Sequence, residues 1–152
     1  MMRCNCGIDP VLLADQHLLA EARELSMVAG SLIYNDMKVV SEIPATLRLG
    51  KGHLNFFKDK LNYLYQRWLL VRKECENRGF NIQKGFYDLK LFPAVFCNDW
   101  IPSMADSMLL RDRVIWKLKL KPTLYRYRGE YISNQNMDSF CDKILQSPLY
   151  FV

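Results

Sequence analysis

The chain has 152 residues, a length that suits a single domain with one hydrophobic core. Half of the residues are hydrophobic and 24% are charged, which excludes disordered and fibrous proteins as classes. Every apolar run is shorter than the roughly 20 residues that a membrane-spanning helix needs, so we expect no membrane association. The net charge of +5 and the isoelectric point near 9.0 favour a polyanionic partner.

The first ten residues, MMRCNCGIDP, lack the apolar segment of a secretory signal. We therefore expect residence in a reducing cytoplasm, where cysteines remain free thiols. The cysteines are Cys4, Cys6, Cys75, Cys97 and Cys141. None has a histidine at a zinc-like spacing, so we expect neither a metal site nor a cofactor.

The first predicted helix begins with Asp9 as N-cap and Pro10 in the first helical position. Apolar residues at helical spacing form its predicted buried stripe, namely Val11, Leu18, Ala22, Leu25 and Ala29. The opposite stripe, together with its flanks, contains Gln16, His17, Ala20, Arg23, Glu24 and Met27. The polar side chains of this helix are therefore predicted to face away from the core.

The second predicted helix has apolar residues that alternate spacings of three and four over more than five turns. These residues are Leu54, Phe57, Leu61, Leu64, Trp68, Val71 and Cys75. Gly79 is predicted to end the helix as a C-cap after Arg78. His53 lies beside Gly50 and Gly52, and we expect it to serve the start of this helix.

The third predicted helix follows Pro93 and Pro102 and runs from about residue 103 to residue 118. Its predicted inward residues are Met104, Met108, Ile115 and Leu118. Arg111 interrupts that stripe. A basic residue at a core position either extends its charge to the surface, pairs with an acid, or indicates that the predicted register is shifted.

Strand signals are limited to short runs such as residues 37–40. The predicted class is therefore mainly α, a compact single domain of three principal helices with long irregular loops. We assign residues 1–132 to the body of the domain. Residues 133–152 are predicted to form a C-terminal extension that packs on the same domain.

Basic residues are concentrated between residues 111 and 128, where Asp112 is the only acid. They are Arg111, Arg113, Lys117, Lys119, Lys121, Arg126 and Arg128. In the run Leu124–Arg128 the basic residues alternate with tyrosines, which suits a surface that follows a nucleic-acid backbone. The alternative is a surface loop with buried tyrosines.

Four stretches resemble the pyrimidine-dimer DNA glycosylase and abasic-site lyase of T-even phages, known as endonuclease V. They are ADQHLLAEARELSMV at 14–28, LGKGHLNFFKDKL at 49–61, RGFNI at 78–82 and KPTLYRYRG at 121–129. They occur in the family's order with few gaps. The resemblance extends from residue 2 to about residue 132.

The resemblance implies a DNA repair enzyme, a glycosylase and lyase that acts on pyrimidine dimers. In this family the amine of the residue after the initiator methionine attacks the sugar C1′ of the damaged nucleotide. The base is released, an imine joins protein to sugar, and β-elimination cuts the strand. A glutamate in the first helix assists.

By position, the resemblance assigns the catalytic roles to Met2 and Glu24. It assigns DNA binding to Arg3, Gln16, His17, Arg23, Arg113, Lys117, Lys121, Tyr125, Arg126 and Tyr127. For Gln16 and His17 considered alone, the alternative is an ordinary surface or boundary position. For Glu24 the alternative is a solvated residue paired with a neighbouring base. The implied partner is double-stranded DNA with damaged pyrimidines, and we expect a monomer in the cytoplasm, that of the host for a phage protein.

The chain departs from the family at its start, where Met2 occupies the place of a threonine. Three alternatives follow: translation begins at Met2, the amine of Met1 reaches the site, or the lyase step is lost. Leu124 and Met27 also replace an aromatic and a basic residue of the family. Two rival functions therefore stand beside the repair enzyme, a non-catalytic DNA-binding protein and a glycosylase for another modified base.

Overall fold

The computed structural model describes residues 2–152, and within them six α-helices supply most of the regular structure. The helices are α1 (Asp15–Glu24), α2 (Met27–Tyr34), α3 (Lys51–Phe56), α4 (Leu61–Asn77), α5 (Met104–Leu120) and α6 (Asn134–Gln146). One antiparallel hairpin pairs β1 (Arg126–Tyr127) with β2 (Glu130–Tyr131). The predicted mainly α class is confirmed, and none of the described helices is long and apolar enough to cross a membrane.

The first predicted helix is divided into three segments: a 3₁₀ turn at Pro10–Leu12, then α1, then α2. Asp9 does accept a bond from the Val11 backbone N–H, but it caps only a 3₁₀ turn at Pro10–Leu12. The backbone is extended at Leu13, so α1 begins only at Asp15. Four residues of the predicted stripe are buried, namely Leu18, Ala22, Leu25 and Ala29. Val11 was wrongly placed in the stripe; it is 40% exposed because the turn does not continue the register of α1.

The second predicted helix is likewise divided, at residues 57–60, into α3 and α4. At this break Lys60 pairs with Cys97 in an isolated bridge, which draws the chain out of helical geometry. The predicted stripe is buried from Phe57 to Cys75, whereas Leu54 is half-buried. Gly79 ends α4 as predicted, with a φ of +82°.

The predicted face of α5 was largely wrong. Ser103 and Asp106 form a capping box that fixes the start of the helix. The buried face consists of Ser107, Leu110, Arg111, Val114 and Leu118. Of the predicted inward residues only Leu118 is fully buried; Met108 and Ile115 are half-buried and Met104 is exposed. The register is rotated because Arg111 itself faces inward, where backbone carbonyls bind it.

The C-terminal residues contribute to the core through α6, which packs on α5. Met137, Cys141 and Ile144 form the buried stripe of α6. Residues 37–40 are not a strand, and the only described sheet is the hairpin at 126–131.

All five cysteines are free thiols, as expected. Burial raises the pKa of Cys4 and of Cys6 above the ordinary thiol value. These two thiols therefore remain protonated and act as small apolar core residues.

Candidate functional site

The N-terminal loop, defined as residues 2–7, is fixed against α1 and α3 by backbone hydrogen bonds. The Cys4 N–H donates to Nε2 of His53 at 3.2 Å. The backbone N–H and the side-chain amide of Asn5 both donate to Glu21, each at 2.9 Å. The Met2 side chain is only 2% exposed. The beginning of the described chain is thus held in one place.

Glu21 also forms a buried ion pair with Arg67 of α4, and both side chains are fully buried. Arg67 donates to the two Glu21 oxygens at 2.8 and 3.2 Å and to the Ile8 carbonyl at 2.6 Å. Burial opposes the charge on Arg67, but the Glu21 carboxylate outweighs it and raises the pKa of Arg67 above its usual value. The pair therefore anchors the N-terminal loop at Asn5 and the next part of the chain at Ile8.

Glu24 lies one helical turn beyond Glu21 and meets the loop at Arg3. An Arg3 guanidinium nitrogen lies 2.7 Å from Oε1 of Glu24, in a pair that is only partly exposed. The other oxygen, Oε2, is buried and has no hydrogen-bond partner within residues 2–152. Buried carboxylate oxygens are normally bonded, so this unpaired oxygen is a candidate position for a ligand contact. Glu24 is therefore paired with a base, as in the alternative, but its side chain is only partly exposed.

Two cations from α5 complete the positive side of this site. Arg113 donates to the Asn5 side-chain carbonyl at 3.4 Å. Burial lowers the pKa of Arg113, and burial together with the charges of Arg3 and Arg113 lowers the pKa of Lys117. Three like charges thus converge beside a single open carboxylate, an arrangement that attracts a polyanion.

His17 lies beneath these cations and is 6% exposed. Neither ring nitrogen has a hydrogen-bond partner in the described part of the chain. The ring packs on Tyr125, with centroids 4.7 Å apart. Burial, followed by the charges of Lys117, Arg3 and Arg113, lowers the pKa of His17 to about 3. The imidazole is therefore neutral near pH 7, with one donor and one acceptor unused.

Other predicted DNA-binding residues lie outside this cluster and make internal contacts. Gln16 donates to the Leu124 carbonyl at 2.7 Å and accepts from the Arg126 N–H at 3.0 Å. The Tyr127 hydroxyl donates to the Val11 carbonyl at 3.0 Å. The Arg126 guanidinium lies over the ring of Tyr131. These side chains hold the hairpin against the start of α1.

The remaining predicted residues lie on the surface. Arg23 is exposed and lines a shallow cavity with residues 81–84, which include Lys84. Lys121 is exposed at the end of α5. Both extend positive charge away from the Glu24 site.

His53 binds backbone groups on both sides of its ring. Its Nδ1 lies 2.9 Å from the Arg48 carbonyl, and its Nε2 accepts from Cys4. Burial lowers the pKa of His53 to about 4. The residue therefore ties the N-terminal loop to the segment before α3.

Glu21, Asn5 and Arg67 were missed by the sequence analysis. Glu21 and Glu24 lie one turn apart, which was a usable signal for a second carboxylate on the same side of α1. Arg67 is adjacent to the buried Trp68, so it was a charged residue at the edge of an apolar stripe. Such a residue needs a buried partner.

A protein-family model described as pyrimidine dimer DNA glycosylase matches residues 1–88. The matched range includes the N-terminal loop, α1 and α4, and therefore His17, Glu24 and the Glu21–Arg67 pair. Arg113 and Lys117 join the same site from beyond the matched range.

Proposed function

The chain belongs to the pyrimidine dimer DNA glycosylase family, and from this premise we propose that it excises pyrimidine dimers from duplex DNA and then cleaves the abasic strand. The observation that carries this proposal is the Glu24 carboxylate, which has one oxygen bound by Arg3 and one oxygen open. The surrounding positive charge suits a phosphate backbone, and the open oxygen suits a reacting sugar.

The proposed nucleophile is the α-amine at the start of the chain, that of Met2 if translation begins there and otherwise that of Met1. An α-amine has a pKa near 7.7 to 8.0, so roughly a tenth of it is neutral at pH 7. A lysine side chain would be almost wholly charged at that pH. The proximity of Arg3 to Glu24 supports this assignment, because it brings the residue next to Met2 into contact with the proposed catalytic carboxylate.

In the proposed reaction the neutral amine attacks C1′ while the bond from C1′ to the pyrimidine breaks. Glu24 takes one proton from the nitrogen and gives it to O4′ as the C1′–O4′ bond breaks, the departing base takes a proton from water, and the nitrogen lone pair completes a protonated imine to C1′. Removal of a proton from C2′ then expels the 3′ phosphate and cuts the strand. Glu24 stabilises positive charge on the sugar in the first step and transfers protons in the later ones.

The cationic residues have a separate proposed role, which is to hold the DNA. Arg3, Arg113 and Lys117 bind phosphates close to the lesion, and Arg23, Lys121 and Arg126 bind them farther away. Neutral His17 offers its unused donor and acceptor to the opened base stack, since a nucleotide must leave the stack before the damaged sugar can be reached. Gln16 and Tyr127 contribute by fixing the hairpin. Tyr125 contributes by packing its ring against that of His17.

Replacement of Glu24 by Gln tests the proposal, since it keeps the shape and removes the charge. We expect single-turnover cleavage of dimer-containing duplex to fall at least 100-fold, because one preorganised electrostatic group commonly contributes that much. The affinity for the same duplex should change by less than about threefold. Glu76→Gln is the matched control, because Glu76 is an exposed glutamate that also pairs with an arginine.

Full activity of the Glu24→Gln variant would remove Glu24 from the mechanism. Salt-dependent duplex binding by the unaltered protein without any cleavage would favour the non-catalytic DNA-binding alternative. Cleavage confined to a duplex with a different damaged base would favour the other-lesion alternative.

A further inference from the structure

The end of the N-terminal loop at Gly7 is held by the C-terminal residues. The Gly7 carbonyl accepts from the Tyr150 backbone N–H at 3.0 Å and from Arg111 at 3.0 Å. Gly7 has a φ of +75°, and a Cβ there would lie 2.5 Å from Oγ of Ser107 and 2.7 Å from a Leu149 methyl. The loop, α5 and the C-terminal tail (residues 147–152) therefore pack together too closely for any side chain at this position.

Arg111 is the centre of this junction. Its guanidinium is fully buried, yet all its described hydrogen bonds go to neutral oxygens rather than to a carboxylate. Nε donates to Ser107 at 2.9 Å. The other nitrogens donate to five carbonyls at 2.7–3.2 Å, those of Gly7, Ile144, Leu145, Ser147 and Pro148.

Four of these carbonyls lie at the end of α6 or just beyond it. The last carbonyls of a helix have no partner within the helix and carry partial negative charge. A buried cation can donate hydrogen bonds to these carbonyls and also balance that charge. With the same guanidinium Arg111 reaches across to Gly7. The end of α6 and the N-terminal loop are thus joined through a single side chain.

We propose that Arg111 and the C-terminal tail position the N-terminal loop for catalysis, an inference that rests on the proposed role of the α-amine as nucleophile. The loop is then held at Cys4 by His53, at Asn5 by Glu21, and at Gly7 by Arg111 and Tyr150. Arg111 is a positioning residue, since its contacts are with the loop and the tail. A displacement of about 1 Å at a reacting atom is enough to cost 100-fold in rate.

Tyr150→Pro in the full chain tests this proposal, because proline removes the N–H that binds Gly7. Tyr150→Ala is the matched control, since it loses the same side chain and keeps the N–H. The measurement is the single-turnover rate of borohydride trapping on a duplex with one abasic site, together with the dissociation constant for that duplex. We expect Tyr150→Pro to trap at least fivefold more slowly than Tyr150→Ala, with dissociation constants within twofold.

Arg111→Lys is the second variant, because a lysine keeps the charge but has fewer donors than the bonds that Arg111 makes. Its trapping rate should fall at least as far as that of Tyr150→Pro, again with little change in affinity. Equal trapping rates for the two Tyr150 variants would overturn the proposal. It would also be overturned if rate and affinity fell together, because that pattern indicates general loss of structure.

Hydrogen exchange of the Cys4 and Asn5 amides separates this proposal from the proposed function. Both amides are bonded in the N-terminal loop, and we expect them to exchange faster in Tyr150→Pro than in Tyr150→Ala. If the unaltered protein traps no DNA, the proposed function fails. Exchange at these amides still decides whether the tail holds the loop, and unchanged exchange rules that out.

Discussion

Two polar clusters flank α1, and they differ in how many of their hydrogen-bonding groups are used. At the start of the helix, Arg78 binds Glu74 at 2.7 Å and Asp15 at 2.8 Å, with its side chain fully buried. It also donates to the carbonyls of Pro10, Val11 and Leu13. Asp15 in turn accepts from the Arg128 and Gly129 N–H groups in the hairpin.

The second cluster, formed by Glu24 and His17 on the same helix, leaves groups unused. One Glu24 oxygen and both His17 ring nitrogens are buried without partners among the residues that the structure describes. A buried polar group without a partner costs free energy, so the fold gains nothing from leaving these open. The saturated Arg78 cluster therefore maintains the fold, whereas the unpaired groups of the Glu24 cluster support the proposal that a ligand binds there.

Replacement of Arg78 by Met should produce the largest change in stability. Glu74 and Asp15 would lose their buried partner, and breaking such a pair costs about 3–5 kcal/mol. The measurement is the free energy of unfolding in urea. Arg72→Met is the control, because Arg72 makes an exposed pair with Glu76 on the same helix and should cost under about 1 kcal/mol. Equal losses in the two variants would contradict the structural role of Arg78.

Acid should destabilise the protein through His17. Its folded pKa of about 3 lies below the ordinary value of 6.5, so between these values the unfolded chain binds a proton that the folded chain does not. Stability is therefore highest above pH 6.5 and falls with decreasing pH, by up to about 1.4 kcal/mol per pH unit for one histidine. His53, with a folded pKa of about 4, contributes in the same direction.

The His17→Gln variant sharpens this prediction, because it removes one titrating group and leaves His53. Unfolding measured between pH 6.5 and 5 should show a shallower dependence on pH in the variant. Parallel curves for the two proteins would mean that His17 binds protons equally well in the folded and unfolded states, which would contradict its lowered pKa.

Replacement of Lys117 by Ala should weaken DNA binding without sequence preference. If Lys117 contacts a phosphate, its loss should reduce the slope of log affinity against log salt by about one. Lys119→Ala is the control, since Lys119 is exposed and pairs weakly with Asp138 on α6. An unchanged slope for Lys117→Ala would remove it from the DNA interface.

The smallest expected effect is that of Glu24→Gln on stability. The residue uses one oxygen in a partly exposed ion pair, so its charge should contribute less than about 1 kcal/mol to folding. Thermal unfolding of the variant should nearly match that of the unaltered protein. A loss as large as that of Arg78→Met would mean that Glu24 maintains the fold as Arg78 does, and it would contradict the difference between the two clusters.

The sequence predicted the helical class and the stripe of α4 because these depend on local periodicity. It missed the breaks at Leu13 and at residues 57–60, since tertiary contacts interrupt the pattern there. The site residues Glu24, His17, Arg113 and Lys117 came from the family resemblance. Local patterns could point to Glu21 and Arg67 separately, but not to their pairing across 46 residues or to the Arg111–Gly7 bond across 104 residues, because both depend on tertiary packing.

Reductive trapping on abasic-site DNA, followed by mass spectrometry of the digested adduct, tests the central claim most directly. Intact mass of the purified protein first establishes whether the amine belongs to Met1 or Met2. We expect the sugar to be attached to that α-amine, at the start of the N-terminal loop beside Glu24. Attachment to a lysine such as Lys117, or the absence of any adduct, would contradict it.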